Sequence, residues 1–220
     1  FNKVTEQQVE ESEVTEYRFK KGYSQYQEGL LEPAHNNFYL VKDTESEYSA
    51  PAAYYYAHIA YERGNYQVAL EAMQSIQNDE AFKRIVPYYI AQIYFMQERY
   101  DELLEYAPAL LDTARAQKAD DIAKLIGVAY YQKEMYAEAV PYLENHYLRS
   151  GRRNRQDAYQ LGYALYRAGE YERALQRFSE VEEEDDLLSQ TTAYHMADSY
   201  LELDQKQYAR NAYEAAASYD

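Results

Sequence analysis

Six small residues recur in matching contexts along this chain: Gly22 in F-K-K-G-Y, Ala57 in Y-Y-Y-A-H, Ala91 in Y-Y-I-A-Q, Gly127 in K-L-I-G-V, Gly162 in Y-Q-L-G-Y and Ala197 in Y-H-M-A-D. Their separations are 35, 34, 36, 35 and 35 residues. A period this steady, in the range of about 20 to 50 residues, is the mark of an array of stacked units. Each unit reads as two helices. In the fifth, D-A-Y-Q-L-G-Y-A-L-Y-R-A-G-E-Y-E-R-A-L-Q-R-F-S-E-V (157–181), large apolar and aromatic residues fall three and four apart on both sides of A-G-E-Y. Gly169 suits the left-handed conformation in which helices commonly end. Gly162 and Ala174 are small where a bulky side chain would hold paired helices apart, and Phe178 and Val181 are placed to fill the space between units. The fold class expected is therefore all-α, a solenoid of stacked antiparallel helical hairpins.

Composition supports helix and narrows the function. Among 220 residues there are only 7 Gly and 5 Pro, too little punctuation for an all-β chain, while the apolar content leans on 29 Tyr and 6 Phe with no Trp. The 22 basic and 38 acidic residues leave a net charge of −16, a field that repels phosphate backbones and anionic lipid, so nucleic acid is not an expected partner. No run approaches the roughly 18 apolar residues of a membrane span, and direct membrane insertion is not expected. With no cysteine, disulfides, thiolate metal sites and cysteine nucleophiles are excluded together. That absence suits reducing and oxidising compartments alike, so cytoplasm and periplasm or cell envelope stay open.

The residues Leu161, Gly162, Gly169, Tyr171, Ala174, Phe178 and Val181 resemble the tetratricopeptide-repeat family, and A-Y-Y-Q-K-E-M-Y-A-E-A in the fourth unit and H-I-A-Y-E-R-G-N-Y-Q-V-A-L in the second are similar to it. The sixth unit has Lys206 at the turn tyrosine's place but keeps Ala209, Tyr213 and Ala216. The third departs most: Leu103 replaces the small alanine, and Pro108 falls inside the second helix, where it is predicted to kink the rod and change the superhelical pitch locally. The resemblance implies a right-handed superhelix of six hairpins over residues 15–218, preceded at 1–14 by the tail of another repeat and a connector. Phe1 and Val4 repeat the phrase made later by Phe38 with Val41 and by Phe178 with Val181. On this reading the chain is a segment of a longer array, and its uncapped ends favour artificial end-to-end self-association.

No catalytic residue, metal site or cofactor is expected. His35, His58, His146 and His195 lie in different units, and no metalloprotease, nucleophile-elbow or phosphate-loop motif occurs. The acidic run 182–186 reads as a solvated turn. A hairpin-built glycosidase would need roughly twice the length and a convergent carboxylate pair. The basic cluster at 149–155, with Arg149, Arg152, Arg153 and Arg155, reads either as a loop whose arginines answer neighbouring acids or as a docking point for an acidic partner.

The resemblance places the first helix of each unit on a concave surface, and the small residues fix which side chains line it. These are Phe19, Tyr23 and Tyr26; Tyr54, His58 and Tyr61; Tyr88, Gln92 and Phe95; Lys124, Val128 and Tyr131; Tyr159, Tyr163 and Tyr166; and Tyr194, Asp198 and Leu201. Steps of four and three make each trio one helical stripe. Tyrosine suits a surface that is apolar in body and polar at its tip, as protein interfaces are. Lys124 is the only basic residue in the stripes and none holds Asn, so the carboxylate clamp of the family's chaperone-binding members is not expected. The function expected is a non-enzymatic interaction scaffold holding a peptide segment or helix of another protein. The alternatives are a structural spacer and, against the lack of Trp, a glycan-binding surface.

Overall fold

A computed structural model describes residues 6–112, 116–149 and 154–219. Phe1, Val4, Arg152 and Arg153 lie outside the described residues. The chain divides into two compact units, Phe1–Arg99 and Tyr100–Asp220. In the first, α1 (Val14–Gln27) pairs with α2 (Leu31–Tyr39), α3 (Ser49–Glu62) pairs with α4 (Tyr66–Ile76), and α5 (Val86–Met96) packs on α4. The second begins with α6 (Tyr100–Tyr106) and α7 (Pro108–Leu111), which pack on α8 (Ala116–Gln132). It continues as three hairpins: α8 with α9 (Tyr136–Arg149), α10 (Arg155–Arg167) with α11 (Tyr171–Phe178), and α12 (Leu187–Glu202) with α13 (Lys206–Ala216). No strand occurs among the described residues. Each unit is thus a stack of antiparallel helical hairpins, the solenoid construction that the repeat implies.

The period of the small residues has a packing cause. A Cβ on Gly162 would stand 2.7 Å from the Phe178 ring, and one on Gly127 would stand 3.0 Å from the Leu143 backbone nitrogen. Ala57, Ala91 and Ala197 occupy the same place with no exposed surface. Twelve residues after each small residue stands another buried position, Ala34, Ala69, Leu103, Ala139, Ala174 and Ala209, each at most 1% exposed. The third repeat carries the larger Leu103 at this position, with no exposed surface. Large side chains then fill the space beside each contact, with Phe38, Met73, Leu143 and Phe178 buried one turn further along the second helices.

All six turns share one backbone. Seven residues after each small residue the chain adopts a positive φ, at Gly29 (76°), Gly64 (76°), Glu98 (57°), Glu134 (58°), Gly169 (80°) and Asp204 (55°). The next residue donates its N–H to the carbonyl five positions back, as in Leu30 to Gln25, Asn65 to Ala60, Met135 to Tyr130 and Glu170 to Leu165, all at 2.8–2.9 Å. This is the Schellman closure that satisfies the last carbonyls of a helix. It forms with glycine or without it, although a side chain in the left-handed region costs about 1–2 kcal/mol.

The expected interruption at Pro108 is present. Helix α6 ends at Tyr106, Ala107 donates to the Leu103 carbonyl at 2.8 Å, and a new helix starts on Pro108. Proline has no N–H to continue the first ladder, and its fixed φ suits a first helical position. Pro141, by contrast, sits inside α9 without ending it.

Two substitutions test this packing. Glu134→Gly is expected to raise stability by about 1 kcal/mol by relieving the left-handed penalty. Gly162→Ala is expected to lower it by about 1–3 kcal/mol, since the Phe178 ring must yield. Urea unfolding of both variants beside the parent measures the two effects.

Candidate functional site

The first helices of each unit hold the tyrosine stripes. In unit one these are Phe19, Tyr23 and Tyr26 on α1, Tyr54, His58 and Tyr61 on α3, and Tyr88, Gln92 and Phe95 on α5. None of the nine is fully buried, and Tyr23 is 40% exposed. Their rings touch within and between helices: Tyr54 stacks on Phe82 at 5.0 Å, and the Tyr26 hydroxyl lies 3.4 Å from His58 Nδ1. Two tyrosines outside the expected stripes join them. Tyr55 meets Tyr23 at 5.4 Å, Tyr26 at 5.2 Å and Phe38 at 5.3 Å. Tyr89 meets His58 at 5.8 Å and Tyr61 at 5.7 Å. Both stand one residue after the first member of a stripe. Their side chains reach back to the preceding repeat, while Tyr54 and Tyr88 begin the open stripe. The doubled and tripled tyrosines at 54–56 and 88–89 were the sequence signal for this second role.

Unit two repeats the arrangement with different chemistry. Tyr131 on α8, Tyr159, Tyr163 and Tyr166 on α10, and Tyr194 on α12 all keep exposed surface, Tyr194 as much as 49%. His195 takes the place that Tyr55 and Tyr89 hold in unit one. Its ring lies 4.9 Å from Tyr163, 5.4 Å from Tyr166 and 6.2 Å from Tyr159. Lys124 pairs with Asp157 at 3.1 Å, so the one basic stripe residue already has a carboxylate. At the end of α10 the Arg167 guanidinium lies 4.5 Å from the Tyr136 ring centre and 5.7 Å from that of Tyr163, and it donates to the Tyr163 hydroxyl at 2.8 Å. Asp198 accepts hydrogen bonds from the Tyr166 hydroxyl at 3.3 Å and from the Tyr213 hydroxyl.

The arginine cluster behaves in two ways among its described members. Arg155 donates to both Asp186 oxygens at 2.8 and 2.9 Å, to Ser189 Oγ at 2.7 Å and to the Glu182 carbonyl at 2.7 Å, with Glu184 2.8 Å away. Four hydrogen bonds and the Glu184 ion pair thus hold this guanidinium within the chain. The acidic run 182–186 is therefore half of an internal ion-pair network, and Asp186 also caps α12 by accepting from the Ser189 N–H. Arg149 reaches Asp120 only at 3.5 Å and leaves most of its side chain in water.

Burial sets the titration of the tyrosine faces. It raises Tyr54 and Tyr131 well above the ordinary phenol range, and raises Tyr159 to about 12, with Tyr163 adding to the effect. Tyr166 is raised to about 12 by burial and then by the Asp198 charge. Tyr213 also reaches about 12, chiefly because its hydrogen bond to Asp198 holds the proton. Burial lowers the pKa of His195 and disfavours its imidazolium, with the Asp198 charge opposing.

The residues 132–216 match the family model described as anaphase-promoting complex, cyclosome, subunit 3. No curated protein matches the chain. Among solved structures it is similar to YrrB, described as a TPR protein with an unusual peptide-binding site, at 18% identity and a TM-score of 0.67, covering 81% of this chain and 90% of that one. MamA (MSR-1) matches at 19% identity and a TM-score of 0.64, covering 79% and 98%. The C-terminal part of a TPR repeat-containing protein from Cytophaga hutchinsonii matches at 19% and 0.64, covering 90% and 77%.

The raised phenols predict an alkaline weakness. Between about pH 10 and about pH 12 the unfolded chain gives up protons that folded Tyr159, Tyr166 and Tyr213 retain, so stability falls as pH rises through that window. Phenolate absorbance should show a late-titrating group of tyrosines whose ionisation coincides with loss of the helical signal. Ionisation of every tyrosine near pH 10 with helix intact would contradict the burial described.

Proposed function

Because the chain has the tetratricopeptide-repeat fold, we infer that it is a non-enzymatic interaction scaffold whose tyrosine-lined first-helix faces hold a segment of another protein. The observation that supports this most directly is the partial exposure of every tyrosine in the stripes. A ring placed only to fill the core has no need of water, whereas these rings bury part of their apolar body against a neighbour and keep the remainder accessible. Rigid aromatic side chains with a polar tip give large contact area at small entropic cost, and they predominate at binding hot spots. The face in each unit is built on helices, so its side chains are positioned before a partner arrives and less ordering opposes binding. The peptide-binding site named for YrrB, a similar fold, agrees with such a use.

A spacer is the second reading, and the ring contacts between successive repeats are the observation in its favour. Tyr55, Tyr89 and His195 serve that purpose, since each touches side chains of the repeat before it.

Capture from a lysate of the source organism, followed by hydrogen exchange of the recovered complex, separates the two. A groove binder should gain protection on α1, α3 and α5 or on α8, α10 and α12. Tyr23→Ala and Tyr194→Ala, chosen because these rings are the most exposed, should each weaken capture while leaving the helical signal unchanged. Protection confined to the second helices would overturn the assignment to this face, and no retained protein would favour the spacer.

A further inference from the structure

The fifth and sixth repeats of unit two invite a position-by-position comparison. In the junction of repeats four and five, Tyr131 and Tyr136 meet at 5.5 Å, and Arg167, five residues after Gly162, lays its guanidinium on the tyrosine surface. The chain here supplies its own cation to an aromatic site. In the next junction the aromatic pair is kept, since Tyr166 and Tyr171, the counterparts of Tyr131 and Tyr136, meet at 6.0 Å. The side chains that complete the site have changed sign. Five residues after Ala197 stands Glu202 in place of Arg167, and one residue after it stands Asp198 in place of Tyr163.

Asp198 and Glu202 lie four apart on α12, so two like charges share one helix face, an unfavourable arrangement. Both act on the Tyr166 phenol. Asp198 is only 22% exposed, and its hydrogen-bond donors are the neutral hydroxyls of Tyr166 and Tyr213. His195 Nδ1 stands 4.0 Å away, too far for a hydrogen bond, and burial disfavours its charged form. Among the described residues no lysine or arginine lies within ion-pair distance of Asp198 or Glu202. Asp198 is thus hydrogen-bonded but has no described lysine or arginine beside it, and its remaining exposed surface is open to one.

We propose that the Asp198–Glu202 face, with Tyr166 and Tyr171 beside it, receives a lysine or arginine side chain of a basic partner segment. This rests on the scaffold reading above and gives the partner a chemistry. The two carboxylates neutralise the incoming charge, the phenol rings supply cation–π attraction, and the net charge of −16 draws a basic segment toward the protein. The Arg167 site is the internal precedent for the geometry of a cation on this tyrosine surface.

The test is selection of a random dodecapeptide display library on the intact 220-residue chain. Binders are re-measured against Glu202→Gln and against the double variant Asp198→Asn with Glu202→Gln, each checked for parental melting behaviour. The single variant changes an exposed residue and stays informative if the double variant melts early. The expected result is a shared Lys or Arg among parent-selected peptides, whose replacement by Gln weakens binding about tenfold on the parent and far less on the variants. Tyrosine-dependent binders without a required cation, or a cation requirement unchanged in the variants, would overturn this proposal and leave the scaffold reading standing. Failure to select any binder above background would count against both.

Discussion

The close approach of two helices at one small residue per repeat is the constraint on which the rest of the structure depends. Where Gly127 meets the Leu143 backbone and Gly162 meets the Phe178 ring, no room remains for even a methyl group. That approach fixes which faces of the paired helices turn toward each other. It therefore also fixes which side chains of the first helix turn away, three residues before and one and four residues after the small residue. The tyrosine stripes are a geometric consequence of the glycine and alanine contacts. A chain that kept the tyrosines but enlarged the small residues would have no reason to align them.

Much of this was legible in sequence because the repeat supplies six independent readings of one pattern. The hairpins, the small contacts and the interruption at Pro108 follow from residue size and from proline's missing N–H, which are local properties. The turns were only partly legible. Gly169 announces a left-handed residue, but Glu98, Glu134 and Asp204 adopt the same conformation with side chains that ordinarily avoid it. There the tertiary pairing of the helices overrides local preference, and only alignment to the glycine-bearing repeats reveals it.

The candidate face was legible in its stripe positions and less so in its connections. Tyr55, Tyr89 and His195 stand one residue off the first member of each stripe, yet they join one repeat's rings to the next. Helical periodicity assigns a residue to a side of its own helix and carries no information about how far its ring reaches across a junction. Arg155 illustrates the same limit. Its place in a basic cluster left both an internally paired and an available cation open, and folding brings Asp186, Glu184 and the Glu182 carbonyl onto it. The reading of arginines answering neighbouring acids holds for Arg155, but only the folded chain names Glu184 and Asp186 as the acids.

The ion pairs also differ in kind from the ring contacts, and this bears on how neighbouring hairpins are joined. Ring pairs add apolar area with a preferred offset or edge-to-face geometry, whereas a guanidinium bonded to both oxygens of a carboxylate adds directional, charge-assisted hydrogen bonds. In unit two, Arg173 holds both oxygens of Glu144 across one junction and Arg155 holds both oxygens of Asp186 across the next. In unit one, the first junction relies on ring contacts and on the exposed Arg63–Glu32 pair. The first junction of unit one is also closed by a buried core of Ala34, Phe38, Val41, Ala52 and Ile59. Successive repeats are thus joined by the same buried contacts but by different polar chemistry, a two-oxygen arginine grip at some seams and a single ion pair beside stacked rings at another.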